Sequence, residues 1–271
     1  MKRLIPLFLL LVATATVHAQ NWQQRPNASP QACAVHMPYG IPQVQKPDVT
    51  PICRQGYFLL HDNQAKHAVW GAWLVTPQTV NGCFPRSNNF LADASLPPNK
   101  RATPDDYTST GYDRGHLAND AHQSWNRDTG NESFLMSNMM PQLPGLNRGI
   151  WKLLETATGA WVYDSQAAHL IYAGPVYNVA TDRKIGKNQV NVPNGFFKII
   201  VNTKTGATLA FLFPHKEGLG NDLGAVQSTV ADIERITGVV FPVPGNKTVK
   251  QPGWPINFKN VMDAKRQLCK G

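Results

Sequence analysis

Apolar residues in this chain recur in some segments at the spacing of β-strands and in others at the spacing of α-helices. The two kinds of segment follow one another in an irregular order, which restricts the fold classes that the chain can adopt. Residues 57–60 and 68–75 are rich in aromatic and apolar side chains and are separated by a turn, which predicts a pair of strands. Residues 146–161 carry apolar side chains at helical spacing, just after Pro144-Gly145. The remaining predicted elements are strands over 134–139, 167–173, 191–202 and 207–213, and a helix over 226–237 that Gly238 ends. Because strands and helices mix without regular alternation, the sequence favours an α+β class.

The first twenty residues, MKRLIPLFLLLVATATVHAQ, have the organisation of a secretory signal. Lys2 and Arg3 precede an apolar run that ends near Val17, and Val17-His18-Ala19 places small residues where a signal peptidase cleaves. The run is shorter than the ~20 apolar residues that a membrane-spanning helix needs. We therefore expect a signal peptide over 1–19 and an exported product, periplasmic or secreted, without stable membrane insertion.

The mature chain, residues 20–271, shows no repeat, no low-complexity tract and no clear linker. Its length fits one large domain. Residues 20–52 are rich in Pro, Gln and Asn, which predicts an extended N-terminal arm laid over the core. Residues 82–110 contain several prolines and are predicted to form a loop. We expect one domain with this arm at its N-terminus.

The chain is basic, with 26 Lys and Arg against 17 Asp and Glu, for a formal net charge of +9. Removing Lys2 and Arg3 with the signal leaves +7. An exported basic protein is typical of a polyanionic partner such as nucleic acid, an anionic surface or an acidic polymer. Charge also serves solubility alone, so it does not select among these partners.

Four cysteines, an even number, indicate two disulfides in an oxidising compartment. Three pairings are open, of which we favour Cys33–Cys53 with Cys83–Cys269. A loop of ~20 residues closed in this way would add ~3 kcal/mol of stability through the unfolded state. No Cys-x-x-Cys motif is present, which argues against a redox or zinc-knuckle role.

The segment GYDRGHLAND at 111–120 places an arginine and a histidine close together in a polar stretch. Asn147 follows His116 by 31 positions, at the start of the predicted helix, and Glu155 lies eight residues further on. Eight residues of helix turn by ~80° net and rise by ~12 Å, so both side chains can face one cleft. The sequence lacks Gly-x-Ser-x-Gly, His-Glu-x-x-His, P-loop and EF-hand motifs.

These residue types suit phosphodiester hydrolysis. A neutral imidazole accepts the proton of an attacking water, and an arginine holds a phosphate oxygen. A hard cation such as Mg²⁺ binds amide oxygen and water and stabilises the departing oxygen. A carboxylate such as Glu155 can accept hydrogen bonds from water of the metal's shell.

Several stretches together resemble the DNA/RNA non-specific endonucleases, which include secreted bacterial nucleases and mitochondrial endonuclease G. The matching stretches are DYTSTGYDRGHLAND at 106–120, FLMSNMMPQLPGLNRGIWKLLE at 134–155, YAGPVY at 172–177, VPNGFFKIIV at 192–201 and DIERITGVVF at 232–241. The resemblance extends over roughly 57–245 and implies a central antiparallel sheet with helices and a ββα-metal, or His-Me finger, active site. It also implies cleavage of DNA and RNA, single- and double-stranded, through the phosphate backbone.

The resemblance also implies a role for each site residue. His116 would be the general base and Asn147 the direct protein ligand of Mg²⁺, for which Mn²⁺ or another divalent cation could substitute. Arg114 would bind the phosphate and Glu155 would hold water of the metal's shell, while Asn138 would support the site. The family's upstream arginine corresponds to Arg86 by one spacing and to Asn88 by another.

Structural interpretations compete with these roles. Arg114 could pair with Asp113 or Asp120, Asn147 could cap a helix, and Glu155 could face solvent. His122 is interpreted as a loop residue or a nucleic-acid contact, and His215 has no evident partner. Trp125 and Trp151 are interpreted as packing residues, and Asp113 as part of the scaffold.

Two other functions stay open at this point. The chain could be a catalytically inactive nucleic-acid-binding protein, or a phosphodiesterase on a small or lipid substrate. The sequence does not decide the biological role, the oligomeric state or whether an inhibitor protein binds.

Overall fold

Seven antiparallel strands form one large sheet in the computed structural model, which describes residues 30–80, 82–177, 183–260, 262, 263 and 269. The strands, in chain order, are β1 (Val49–Cys53), β2 (Phe58–Asp62), β3 (His67–Val75), β4 (Asp113–His116), β5 (Met139–Gln142), β6 (His169–Val176), β7 (Lys184–Ile185), β8 (Val190–Asn191), β9 (Gly195–Asn202), β10 (Thr208–Pro214) and β11 (Gln227–Ser228). The large sheet has the order β1-β2-β3-β6-β9-β10-β11, whereas β4 pairs with β5 and β7 with β8 in two small sheets. The α-helices are α1 (Asp120–Gln123), α2 (Arg127–Glu132), α3 (Pro144–Leu146), α4 (Lys152–Ser165) and α5 (Val230–Thr237). The α+β class with a central antiparallel sheet is confirmed.

The central strands are covered on both faces. Every residue of β6 and β9 is buried, so these strands appear in the sequence as nearly continuous apolar runs. Ile171 and Ile200 belong to one hydrophobic core, and their chain neighbours Leu170 and Ile199 belong to another. This alternation follows from the two-residue period of a strand and gives the sheet a core on each face.

One helix packs on each face of the sheet. Helix α4 buries Leu154, Ala157 and Ala160 in the core that contains Ile171, and α5 buries Ile233 in the other. The hydroxyl of Thr229 caps α5 by accepting a hydrogen bond from the Asp232 amide at 3.0 Å. The α4 face is therefore the one that carries the β4–β5 sheet and the candidate site.

The strand predicted over 134–139 is wrong in its position. Met136–Asn138 forms a 3₁₀ turn, and the strand, β5, begins at Met139 and includes Pro141. Proline is tolerated there because β5 has a partner on one side, so the missing amide hydrogen can lie on the open side. The apolar run at 134–139 is buried for a different reason, because it passes beneath the site.

Three other predicted boundaries move. The helix predicted over 226–237 begins at Val230, since residues 227 and 228 form the short edge strand β11. The strand predicted over 167–173 continues through Pro175 to Val176. Strand β3 pairs with β6 only as far as Ala173, so the edge of β6 that faces β3 is open at Pro175, where no amide hydrogen is needed. The strand predicted over 191–202 is split into β8 and β9, and the helix predicted over 146–161 continues to Ser165.

Both favoured disulfides are confirmed. Cys33–Cys53 joins a 3₁₀ helix at Pro30–His36 to β1, with 5.8 Å between Cα atoms. Cys83–Cys269 joins the loop after β3 to the end of the chain, with 5.3 Å between Cα atoms. The last residues of the predicted arm form β1, and Gln43 forms a bridge with Val240.

The predicted signal peptide, 1–19, lies outside the described residues. Within the part of the chain that is described, the helices are too short and too polar to cross a membrane.

Candidate active site

Strands β4 and β5 lead into the helical segment, so the candidate catalytic residues lie on a β-β-α unit. His116 pairs with Met139 across this small sheet. The chain then passes through α3, a π-helical turn at Asn147–Trp151 and α4. Gly115 packs so closely on Gln142 that a Cβ atom there would collide with its side chain. The glycine next to His116 is therefore required by the packing of the two strands.

His116 is buried, with 8% of its surface exposed, between two aromatic rings. The Phe134 ring lies edge-on at 5.0 Å between centroids, and the Phe90 ring lies at 5.9 Å. Its Nε2 is buried without a hydrogen-bond partner among the described residues. Burial, assisted by the charge of Arg86, lowers the pKa of His116 to about 3. The ring is consequently neutral at physiological pH and can accept a proton.

Two arginines flank His116. The Arg114 guanidinium lies 5.0 Å from the Phe90 ring centre and donates to the Pro104 carbonyl at 3.0 Å. The Arg86 guanidinium lies 4.8 Å from the Phe134 ring centre. The same two rings therefore hold the imidazole and both guanidinium groups.

The two acids considered as partners of Arg114 have other contacts. Asp113 binds Arg148, and Asp120 lies 3.4 Å from Arg86. Asn88 accepts a hydrogen bond from Nε of Arg86 at 2.8 Å. Asn88 thus orients Arg86, and Arg86 itself lines the cleft.

Asn138 is buried behind the site. Its Nδ2 donates to the carbonyls of Ala118 and Ser133 at 2.8 Å each, and its Oδ1 accepts from the amide of Ala118 at 3.0 Å. The Asn138 carbonyl also accepts from the Leu117 amide at 3.0 Å. These bonds fix the chain immediately after His116, which is a supporting role.

Asn147 lies at the start of the π-helical turn and contacts the DRGH strand. Its Nδ2 donates to Oδ2 of Asp113 at 2.9 Å, and Arg148 donates to both oxygens of the same carboxylate, at 2.8 and 2.6 Å. Partial burial opposes ionisation of Asp113, but the bonds from Arg148 and Asn147 outweigh it and lower its pKa. Since the amide nitrogen is occupied, the Oδ1 of Asn147 is the atom left to serve as a ligand.

The π-helical turn has a cause in the backbone. Gly149 has φ −96° and ψ −115°, outside the helical region. Asn147 itself has helical angles and is not an N-cap, because the N-cap of α3 is Leu143. Such turns inside helices are frequent at functional sites.

Glu155 lies on α4 next to Lys198, a buried lysine on β9 that was not among the predicted site residues. Glu155 is largely buried, and its Oε1 lies 3.5 Å from Nζ of Lys198. Lys198 is 1% exposed on β9, with Nζ 3.9 Å from the Trp151 ring centre. Burial raises the pKa of Glu155, and Lys198 opposes that rise. A lysine inside the apolar run Phe196-Phe197-Lys198-Ile199-Ile200 was the signal that could have revealed it.

One cleft of about 480 Å³ brings the predicted residues together. Its lining includes Arg86, Arg114, His116, Asn147 and Glu155. Asn138 lies behind this lining. The cleft therefore combines two guanidinium groups that suit phosphate, a neutral imidazole, and the side-chain oxygens of Asn147 and Glu155.

The other histidines pack against neighbouring groups. His122 lies in α1 and not in a loop, and it is buried, with Nε2 3.2 Å from the Glu155 carbonyl and Nδ1 3.4 Å from the Trp73 indole nitrogen. It also lines the cleft, and its alternative interpretation as a nucleic-acid contact stays a prediction. His215 has a partner after all, because the Leu143 amide donates to its Nε2 at 2.9 Å and so positions the start of α3. Trp151 is buried, as expected, and its indole donates to the His116 carbonyl at 3.3 Å.

Comparison with known proteins shows which family this chain belongs to. A family model described as DNA/RNA non-specific endonuclease matches residues 35–247. The chain belongs to the DNA/RNA non-specific endonuclease family. The endonuclease is similar to the nuclease of Nostoc sp., with 32% identity over 225 residues, which is 77% of this chain and 80% of that protein. It is also similar to mitochondrial endonuclease G of Bos taurus, with 30% identity over 221 residues, or 75% of this chain and 71% of that protein.

A solved structure supports the same assignment. The structure of EndoG in complex with EndoGI has a TM-score of 0.72 and 26% identity, and the likeness covers 82% of this chain and 97% of that one. The protein is thus a hydrolase of the DNA/RNA endonuclease class, and nucleic acids are its substrates.

Proposed function

We propose that this endonuclease is exported and hydrolyses phosphodiester bonds in DNA and RNA without sequence preference. His116 serves as the general base, and Asn147 is the protein ligand of one divalent metal ion. The observation that most directly supports this is the convergence of His116, Asn147 and Glu155 with two arginines on one cleft.

His116 removes the proton of the attacking water. The free ring is neutral, because burial and Arg86 hold its pKa low. A phosphate bound beside Arg86 offsets that positive charge and makes the imidazole more basic when the proton is transferred. General base catalysis of this kind contributes ~10²–10⁴ in rate.

Arg114 and Arg86 bind the phosphate. Each guanidinium is held over an aromatic ring beside His116, so each is already positioned to bind phosphate before the substrate arrives. Their charges stabilise the extra negative charge that develops on the phosphate oxygens as water attacks.

The donor atoms of the cleft fit a hard cation. Asn147 offers an amide oxygen, and Glu155 a carboxylate that accepts hydrogen bonds from water. Within the described residues, no three His, Cys, Asp or Glu side chains group as a metal site, which fits an ion held mostly by water and phosphate. When bound, Mg²⁺ or a substitute such as Mn²⁺ acts as a Lewis acid for the departing 3′ oxygen.

The substrate range follows from what the cleft contacts. Its cations recognise phosphate, which DNA and RNA share, and phosphate contacts carry no sequence information. The net charge of +7 that remains after removal of Lys2 and Arg3 from the +9 of the full chain adds attraction for either polyanion.

Export is supported by the signal-like residues 1–19 and by the two disulfides, which persist in oxidising compartments. The similarity to EndoG, whose structure is a complex with EndoGI that concerns its inhibition, supports a protein inhibitor as a further partner.

Digestion of plasmid DNA and of RNA by the purified mature chain, with Mg²⁺ and with EDTA, tests the proposal. We expect cleavage of both with Mg²⁺ and none with EDTA, and a loss of ~10²–10⁴ in turnover for His116→Ala at a temperature where circular dichroism shows the variant to be folded. Wild-type rates in that variant would remove His116 from the mechanism.

The two alternatives predict different results. Tight nucleic-acid binding without cleavage under any divalent metal would favour an inactive binding protein. Faster hydrolysis of a small phosphodiester than of DNA or RNA would favour a phosphodiesterase on a small or lipid substrate.

A further inference from the structure

The segment after residue 247 lies beyond the family match and packs along α4. The Trp161 indole donates to the Pro255 carbonyl at 3.0 Å, and the Trp254 ring lies 5.1 Å from that of Trp161. Asn260 donates to Asp164 at 3.0 Å. Further along, Cys269 is bound to Cys83. These contacts hold the segment against the domain beside the cleft.

Three apolar side chains of this segment face solvent. Ile256 is 37% exposed, Phe258 36% and Met262 47%. Met262 lines the active-site cleft, while Ile256 and Phe258 line a neighbouring groove of about 670 Å³. Apolar side chains exposed together beside a nucleic-acid cleft mark this side as a contact site for an apolar partner.

The groove is continuous with the cleft. Arg148, Lys152 and Thr156 line both cavities. Arg148 is bound to Asp113 but keeps 71% of its side chain exposed. Asp222 also lines the groove, where its carboxylate accepts a hydrogen bond from the Gly224 amide at 2.8 Å. One side of the path is thus cationic and the other, on the C-terminal segment, is apolar.

We propose that Ile256, Phe258 and Met262 form a base-binding wall that contacts the unpaired bases of a single strand passing from the cleft into the groove. This inference rests on the proposed function. The backbone phosphates lie along Lys152 and Arg148, and a base stacks on Phe258. In a duplex the faces of the bases are hidden by stacking, so apolar contacts of this kind favour single strands. The wall therefore selects single-stranded DNA and RNA over duplex.

The test compares Phe258→Ala with Val249→Ala, a control from the same segment. Val249 is 52% exposed and is not part of the described lining of either cavity. Binding of a fluorescent oligothymidylate and of a duplex of equal length is measured by anisotropy in a His116→Ala background. Cleavage of both is measured with His116 intact, and melting temperatures are recorded for every variant.

We expect Phe258→Ala to weaken oligothymidylate binding by about 10-fold, as loss of one base stack does, and to change duplex binding less than twofold. The ratio of single-strand to duplex kcat/KM should fall by a similar factor, and Val249→Ala should change neither. Equal losses on both substrates, or no loss on the single strand, would overturn the base-binding wall. Binding is measured in a variant without catalysis, so it tests the base-binding wall separately from the proposed function. A wild-type protein that cleaves neither substrate would contradict the proposed function, whereas the binding result would still decide the base-binding wall.

Discussion

Asp113 and Asn147 are joined by a hydrogen bond of 2.9 Å from the amide nitrogen of Asn147 to the Asp113 carboxylate. This bond connects the DRGH strand to the π-helical turn across 34 residues of sequence. The same carboxylate binds Arg148 through two further bonds. Asp113 therefore sets the orientation of the Asn147 amide, and the amide oxygen is the atom proposed to bind the metal ion.

Asp113→Asn should weaken metal binding. The new amide can place a donor against Nδ2 of Asn147, so the orientation of the ligand is no longer fixed. Loss of a partner that orients a ligand lowers metal affinity by about 10–100-fold. The Mg²⁺ concentration for half-maximal cleavage should rise by that factor, and direct Mn²⁺ binding followed by electron paramagnetic resonance should show the same change.

Asp105→Asn is the matched control, because Asp105 is an exposed aspartate on the 3₁₀ turn before β4. It should leave metal binding unchanged. Wild-type Mn²⁺ affinity in Asp113→Asn would show that the contact between Asp113 and Asn147 has no part in holding the ion.

The arrangement of strands and helices could be predicted because burial leaves a strong periodic signal. The run around Ile171 and the one around Ile200 are buried at every position and mostly apolar, as expected of strands covered on both faces. The strands predicted over 134–139 and 167–173 end before Pro141 and Pro175, whereas the observed strands include both prolines. Whether a proline fits a strand depends on which edge is paired, and pairing is not visible in one sequence.

The site could be predicted in part. The residue types and spacing predicted that His116 and Glu155 share one cleft, but the groups around them are set by the tertiary structure. Lys198 comes from a strand 43 residues after Glu155, and only the folded sheet brings it under that carboxylate. The segment after residue 247 carries no motif, so nothing in its residues predicted that Phe258 lines the groove next to the cleft.

Stability should fall as the pH is lowered below about 6.5. Burial lowers the pKa of His116 to about 3 and those of His61 and His169 to about 4, whereas unfolded histidine titrates near 6.5. Between these values the unfolded chain binds more protons, so the stabilisation present above pH 6.5 is lost towards pH 4. Each such histidine contributes a slope of about 1.4 kcal/mol per pH unit.

His116→Gln isolates one of these contributions. Urea unfolding at pH 7, 6, 5 and 4.5 should show a smaller decline for the variant than for the wild type, by about 1.4 kcal/mol per pH unit below pH 6. Parallel declines would mean that His116 is protonated in the folded protein at these pH values.

Lys198→Met should destabilise the protein and move its pH profile. Glu155 would lose its nearest cation in a buried site, at a cost of about 3 kcal/mol in the free energy of unfolding. Its pKa would rise further, because burial already raises it and Lys198 opposes that rise. Since the proposed role of Glu155 requires the ionised carboxylate, the acid limb of kcat should shift to higher pH.

A double-mutant cycle with Glu155→Gln checks the coupling. The double variant should recover much of the stability that Lys198→Met loses, because no buried charge is left unpaired. Lys204→Met, at an exposed lysine just after β9, should change stability by less than about 0.5 kcal/mol. Additive effects at Lys198 and Glu155 would show that the two charges are not coupled.

The two disulfides should differ in their effects on stability and on substrate choice. The cysteines are 20 residues apart in Cys33–Cys53 and 186 in Cys83–Cys269, so loop entropy gives about 3 and about 5 kcal/mol respectively. The paired serine variants should therefore lose more stability at Cys83–Cys269 in urea unfolding.

The Cys83–Cys269 disulfide also anchors the segment carrying Phe258, so its loss should lower the single-strand to duplex ratio of kcat/KM, whereas loss of Cys33–Cys53 should leave the ratio unchanged. Equal ratios in the two paired variants would show that the segment holds its position through Trp254 and Asn260 without the disulfide.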